Sequence, residues 1–275
     1  MTGRRILVIG GGIGGLTAAT ALARKGFAAT VIERSDGSGV EGVGISQQAN
    51  VVRALAGLGL DQAYVRAGFA YDAVEIHAPD GTLVARTPSR SLIEGYPAAM
   101  GIPRRALLKV LADAATAAGA DIRRSTIAVW LEDTGSEVRA RFSDASEESF
   151  ALAIGADGIY SQTRRVLFPD APHPRFVGQA VWRYNLPRPA DFDALHVYNG
   201  PTGVGLVPMS EAEIYLYATT PEPDNPQYPV GGLAALMRQR LAGCAPAISN
   251  IPEASTSPNT SRLRSRCAIT RRLRS

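Results

Sequence analysis

Cysteine is almost missing from this chain. Only Cys244 and Cys267 occur, without metal-ligand spacing, which excludes a disulfide framework and a cysteine-held metal centre. Histidine is equally scarce. His77, His173 and His196 stand isolated in the sequence, with no nucleophile or carboxylate pattern around them, so no catalytic histidine and no metal site are expected. No uninterrupted apolar run approaches the roughly 20 residues that cross a bilayer. No secretory leader precedes the first apolar segment, which begins at Arg5 or Ile6; a cytoplasmic protein without a membrane partner is expected. Acidic residues are absent from 254–275, which carries six Arg: Arg262, Arg264, Arg266, Arg271, Arg272 and Arg274. Taking those six from the 29 basic residues leaves 23 against 25 acidic ones, so the net charge of +4 belongs to the tail. The body is slightly acidic and offers no basic face for nucleic acid.

What is present is concentrated in Ile6–Glu33, ILVIGGGIGGLTAATALARKGFAATVIE. The run Ile6–Ile9 is apolar throughout, as suits a parallel strand buried on both faces. Gly10 permits a tight turn, Gly12 lets backbone approach a pyrophosphate, and Gly15 lets a helix pack close to the strand. The helix N-terminus offers free N–H groups and its positive dipole end to phosphate. Ala19 and Leu22 continue the buried helix face, and Gly26 ends it. Thr30–Ile32 form a second strand that closes on Glu33, 18 residues beyond Gly15, where an acid accepts hydrogen bonds from a ribose diol. The acid argues against a 2′-phosphate, although Arg34 follows it directly. FAD and NAD both satisfy this fingerprint.

Farther along, Ala49–Leu60 has apolar residues at helical spacing, and Ala73–Ala85 alternates about an Asp80-Gly81 turn, the pattern of a hairpin. Arg104–Ala118 is an amphipathic helix closed by Gly119. Ile122–Ala153 reads as a strand meander, and Leu152–Ile154 as a short buried strand running into Gly155-Ala156-Asp157-Gly158. Beyond Pro169, Val181–Tyr184, Leu195–Tyr198, Gly203–Val207 and Ile214–Ala218 read as antiparallel strands, and Leu233–Leu241 as a helix. The expected fold class is α/β: a Rossmann-like parallel-sheet domain plus an interleaved antiparallel-sheet domain.

At the Gly155–Gly158 segment the chain resembles, over about residues 4–250, the FAD-dependent aromatic hydroxylases of the para-hydroxybenzoate hydroxylase class, the group A flavoprotein monooxygenases. Four segments carry the likeness. They are the βαβ unit ending in Glu33-Arg34; GVGISQQANVVRALAGLGL, Gly42–Leu60; Arg104 with Leu107 and Leu111; and GADGIYSQTRR, Gly155–Arg165, with Ser161 and Arg164. The resemblance implies FAD as cofactor and NAD(P)H as reducing co-substrate, with O₂ supplying an oxygen atom to a small, electron-rich, aromatic substrate. It implies cofactor contacts at Gly10, Gly12, Ile13, Gly14, Gly15, Glu33, Arg34, Arg104, Ile127 and Asp157. Arg104 opposes the dipole at the start of its helix, a cost that points to another purpose. Asp157 can equally bond its own turn backbone. Gln47 in the flavin-side loop and the pair Trp182-Arg183 are candidates for the substrate pocket, with core packing the stronger role for a strand tryptophan. No protein group is assigned a catalytic role, since the cofactor carries such chemistry.

The implied domains are an FAD-binding domain from 1–72 and 101–172 and a substrate domain from 73–100 and 173–250. The family continues with a G-D-A-x-H motif that this sequence lacks. After Glu253 the chain becomes rich in Ser, Thr and Arg, and two readings stand: a disordered basic arm, or an out-of-frame continuation in place of the family's last third. The second is expected for 254–275, with FAD retention and activity in doubt as a consequence. A flavin reductase or halogenase on the same fold and a non-catalytic nucleotide-binding fragment are the rival functions. A simple NAD dehydrogenase ranks behind them, since it needs no Gly155–Gly158 motif.

Overall fold

The computed structural model describes residues 3–37, 44–200, 202–224, 226, 228, 229, 232–245 and 248. The expectations for the tail at 254–275, for Cys267 and for the first residues of the Gly42–Leu60 segment lie outside them. Among the described residues no helix is long and apolar enough to cross a membrane.

The chain opens with β1 (Arg5–Ile9), α1 (Ile13–Arg24), β2 (Ala28–Ile32), β3 (Gly44–Gln48), α2 (Ala49–Gly57), α3 (Asp61–Arg66) and β4 (Phe69–Tyr71). It continues through β5 (Ala73–His77), β6 (Leu83–Pro88), β7 (Ala99–Pro103), α4 (Arg104–Ala117), β8 (Asp121–Arg123), β9 (Ala128–Asp133) and β10 (Val138–Phe142). Then follow β11 (Glu147–Phe150), β12 (Leu152–Gly155), α5 (Gln162–Leu167), β13 (Gln179–Pro187), β14 (Leu195–Tyr198), β15 (Gly203–Pro208), β16 (Glu213–Pro221) and α6 (Leu233–Leu241). The described residues fall into two compact units. One is drawn from 1–40 and 107–174, the other from 41–106 and the described residues from 175 onward.

The first unit is built on a parallel sheet in the order β12-β1-β2-β8. Its central strand shows why the apolar run at Ile6–Ile9 is continuous. Leu7 and Ile9 pack on one face with Ile32, Phe142 and Phe150, while Val8 packs on the other with Ala19, Val31 and Ala115. Helices α1 and α4 supply residues to the second face, and the antiparallel sheet β11-β10-β9 supplies the first. A strand sandwiched in this way has no polar side to show, so period-two alternation disappears. The connection from β1 through α1 to β2 runs to one side of β1, and β12 returns on the other. That reversal of strand order makes a crevice at the carboxyl ends.

The second unit holds a six-stranded sheet, β13-β16-β15-β14-β5-β6, and a three-stranded sheet, β3-β7-β4. The hairpin about Asp80-Gly81 forms as the turn residues require: β5 and β6 pair antiparallel. One join departs from the antiparallel expectation, because β14 and β5 run parallel. Strands so far apart in sequence are brought together without a hairpin, and no local turn signal fixes their relative direction. Helix α6 closes one face, placing Leu233, Met237 and Leu241 against Trp182, Leu206 and Leu216. Trp182 is wholly buried there, and its indole N–H donates to Thr220 Oγ1 at 2.7 Å.

Candidate dinucleotide site

The three motifs of the parallel sheet meet because of strand register. Ile9 lies level with Ile32 on one side and Gly155 on the other. Gly10, Glu33 and Ala156, the next residues, therefore stand in one row at the carboxyl ends of β1, β2 and β12. The Gly10 amide donates to the Ile32 carbonyl at 2.8 Å, and the Ala156 amide to the Ile9 carbonyl at 2.8 Å.

Each glycine of the corner has a separate task. Gly10 takes φ +114°, and a Cβ there would lie 2.5 Å from the Ala156 carbonyl oxygen, so β12 can close on the turn only over glycine. A Cβ on Gly15 would fall 1.9 Å from the Gly10 carbonyl oxygen, which sets how tightly α1 packs on the strand. Gly12 is different, because a Cβ there would meet nothing within 4 Å. It is the N-cap of α1, extended, with no side-chain cap and no acid in the first turn. The helix therefore presents backbone donors and its positive end into open space, with room where a side chain would stand.

Glu33 is half-buried and held by two backbone amides: Gly11 N–H donates to Oε2 at 2.8 Å and Ser35 N–H to Oε1 at 2.9 Å. Each oxygen has a further lone pair for a sugar hydroxyl. Gly11, which the sequence analysis does not single out, is also constrained, because a Cβ there would sit 2.8 Å from Glu33 Cβ. A third glycine in a row was the available signal. Arg34 is exposed. Ile127 lies just past a segment pinned to this end, where Thr126 N–H donates to the Glu33 carbonyl at 3.0 Å. The resemblance implies that Ile127 offers its backbone to the adenine; here its amide and carbonyl each hydrogen-bond Ser143, and its side chain is exposed.

Asp157 turns inward on its own loop. Ser161 Oγ donates to Oδ1, while the amides of Gln162 and Thr163 and the Thr163 hydroxyl donate to Oδ2 at 2.8, 3.0 and 3.1 Å. Ser161 then caps α5 by accepting from the Arg164 amide at 2.8 Å, and the Arg164 guanidinium donates to the Ile159 carbonyl at 2.6 Å. Burial pushes the Asp157 carboxyl up, but the hydrogen bonds from Ser161 and Thr163 outweigh it and hold it below the usual range. Asp157 thus braces the Gly155–Gly158 turn against the start of α5.

In the second unit, Arg104 is the exposed first residue of α4 and makes no ion pair among the described residues. Gln47, half-buried on β3, accepts a hydrogen bond from the Tyr64 hydroxyl at 2.8 Å. Trp182 belongs to the core already described, while its neighbour Arg183 is exposed, with its guanidinium 5.9 Å from the Tyr215 ring centroid. The histidines are not isolated. His77 and His196 stack at 5.0 Å, and both face Glu75. The parallel β5–β14 pairing brings them together, and no linear spacing reports it.

The glycine corner, the capless helix and the acid at the end of β2 suit an adenine dinucleotide, and the comparisons say which. Residues 4–252 match the family described as the FAD binding domain. The chain belongs to this FAD-binding family. It is 32% identical over 232 residues to the aurachin C monooxygenase/isomerase of Stigmatella aurantiaca, covering 82% of this chain and 59% of that protein. It is 36% identical over 187 residues to the 3-amino-4-hydroxybenzoate 2-monooxygenase of Streptomyces cremeus, covering 66% of this chain and 46% of that protein. Among solved structures it is similar to HpxO of Klebsiella pneumoniae in complex with FAD and uric acid. That likeness has a TM-score of 0.80 at 25% identity, over 90% of this chain and 64% of the other. The chain spans about half to three fifths of the length of these curated relatives.

Proposed function

We propose that the protein is an FAD-dependent monooxygenase that uses NAD(P)H and O₂ to hydroxylate a small aromatic molecule. The observation that carries this reading is the row formed by Gly10, Glu33 and Ala156 at three adjacent strand ends, with Gly12 opening onto empty space. The names of the relatives support the reaction class, two of them being called monooxygenases. When bound, FAD supplies two-electron reduction by a nicotinamide and activation of O₂.

The chain's own contribution is binding and orientation. The first turn of α1 places its donors and dipole against a diphosphate, and Gly12 lets that group approach the backbone. The Glu33 carboxylate, fixed by the Gly11 and Ser35 amides, accepts from ribose hydroxyls. A carboxylate already held by two backbone amides needs no reorganisation when the sugar arrives. Arg34 and Ile127 lie at this end, and Arg104, which makes no ion pair among the described residues, is suited to a phosphate or ribityl oxygen. Asp157 keeps the turn behind Gly10 rigid. The parallel-sheet unit is assigned the dinucleotide, and the unit with the six-stranded sheet the substrate, with Gln47 and Arg183 as pocket candidates. A soluble, cytoplasmic location accompanies this reading.

Two measurements test it. Full-length protein mixed with FAD is expected to retain about one equivalent through gel filtration, and to oxidise NADH or NADPH faster when an aromatic effector is present. Retention of FAD without effector-stimulated oxidation would favour the reductase reading. Failure to retain FAD while folded would leave only the nucleotide-binding fragment.

A further inference from the structure

Away from the dinucleotide corner, three ligand-bearing side chains converge on the six-stranded sheet. Glu75 and His77 stand two residues apart on β5 and so share a face, and the parallel pairing sets His196 of β14 directly beside Glu75. The Glu75 Oε2 atom lies 3.2 Å from His77 Nε2 and 3.3 Å from His196 Nε2. All three ligand atoms lie within 4.8 Å of one another.

The far nitrogen of His77 determines what the near one can do. Its Nδ1 is 3.2 Å from the Gly81 carbonyl, a group that only accepts, so the proton belongs on Nδ1. The Nε2 atom of the same ring faces the carboxylate, and His196 sets a second ring nitrogen against the same oxygen. Two imidazole nitrogens and a carboxylate oxygen gathered this closely are the donor set that suits a divalent transition-metal ion. The geometry points to a site for a zinc-class divalent metal ion held by Glu75, His77 and His196.

The dimensions and surroundings agree. Metal–ligand bonds of about 2.0–2.1 Å at tetrahedral angles put neighbouring ligand atoms about 3.3 Å apart. Two edges of the triangle already have that length, and the third is no longer than 4.8 Å. The His77–Gly81 bond is the outer-shell contact that orients a ligating imidazole. Glu75 Oε1 is held by Arg86 at 2.7 Å, and Arg86 is in turn shared with both Asp193 oxygens at 3.2 Å, so its charge is compensated before an ion arrives. Tyr198 stacks on His77 at 4.5 Å and Phe192 on His196 at 4.1 Å, fixing both rings. Three protein ligands leave a fourth position for water. The ion would clip β5 to β14 at the one parallel join of this sheet.

Tag-free full-length protein, stripped with a chelator, is titrated with Co²⁺ and then Zn²⁺. The expected result is one equivalent of Co²⁺ with the intense visible absorption of a four-coordinate ion, its displacement by Zn²⁺, and a rise in Tm. His196→Ala is expected to weaken binding at least tenfold, as is Glu75→Gln, which keeps the side-chain shape should the alanine variant fold poorly; His173→Ala leaves binding intact. No stoichiometric uptake, or uptake that survives both His196→Ala and Glu75→Gln, would overturn the site. FAD retention is read separately, so the two proposals fail independently.

Discussion

At the scale of single residues, glycines of one motif separate into those the packing needs and one, Gly12, that the packing does not. A methyl group on Gly15 has no room beside the Gly10 carbonyl, so Gly15→Ala is expected to cost about 2–3 kcal/mol in urea unfolding. A methyl group on Gly12 meets nothing within 4 Å among the described residues. Gly12→Ala is therefore expected to leave the urea midpoint within experimental error while lowering FAD affinity about tenfold or more, about 1.4 kcal/mol. Equal losses of stability in the two variants would sink this division of labour. Glu33 and Gly11 form a similar pair, since the acid is only as well placed as the amide donating to it. Sequence reasoning located Glu33 because an acid at the end of a second strand has a distinctive spacing. It did not locate Ser35, whose amide holds the other oxygen, because a backbone donor leaves no mark on residue type.

At the scale of elements, short segments are held by polar braces that link distant parts of the chain. The turn after β12 and the start of α5 depend on Asp157, and Asp157→Ala is expected to destabilise the protein by about 1–2 kcal/mol, as the loss of a helix-capping acid does. The pH dependence has a definite sign. The folded carboxyl is held below its unfolded value of about 3.9, so its contribution is present above that pH and lost as pH falls through the folded value. Asp157→Asn is expected to flatten this part of the acid profile, measured as urea midpoint against pH. Glu148 on β11 plays a comparable part, bridging Arg5 of β1 and Arg123 of β8. The Arg123 guanidinium holds its carboxyl below the usual range, with Arg5 adding to the effect. Glu148→Gln is expected to cost about 1–2 kcal/mol at pH 7 and almost nothing near pH 2, where both forms are neutral. Elements with turn grammar were legible in the sequence: the Asp80-Gly81 hairpin, α4 closed by Gly119, and α6 at Leu233–Leu241. The sheet β3-β7-β4 and the helices α3 and α5 were not. Strands of three to five residues and helices of six carry too few periods for a pattern to emerge.

Across the whole molecule, several carboxylates share one bias. Arg86 holds Asp193 low, and Arg240 holds the buried Glu222 low with help from Tyr228 and Thr220, as Arg123 does for Glu148. Each contributes stability above its unfolded pKa and loses it as pH falls, so Tm is expected to be flat near neutrality and to drop below about pH 4. A profile that instead rises on acidification would contradict these pairings. The same network marks the boundary between what the linear chain determines and what it leaves to folding. The parallel strands of the first unit and the FAD-binding family were readable from residues alone, because a βαβ unit is local. Its strand, turn, helix and terminal acid must follow one another at fixed spacing whatever the rest of the chain does. Which strand lies beside β1 on its other side and how His196 comes to face Glu75 were decided only in three dimensions. Those contacts depend on register between segments more than a hundred residues apart, and the free energy that fixes that register is burial of whole sheet faces, to which no single residue type is a guide.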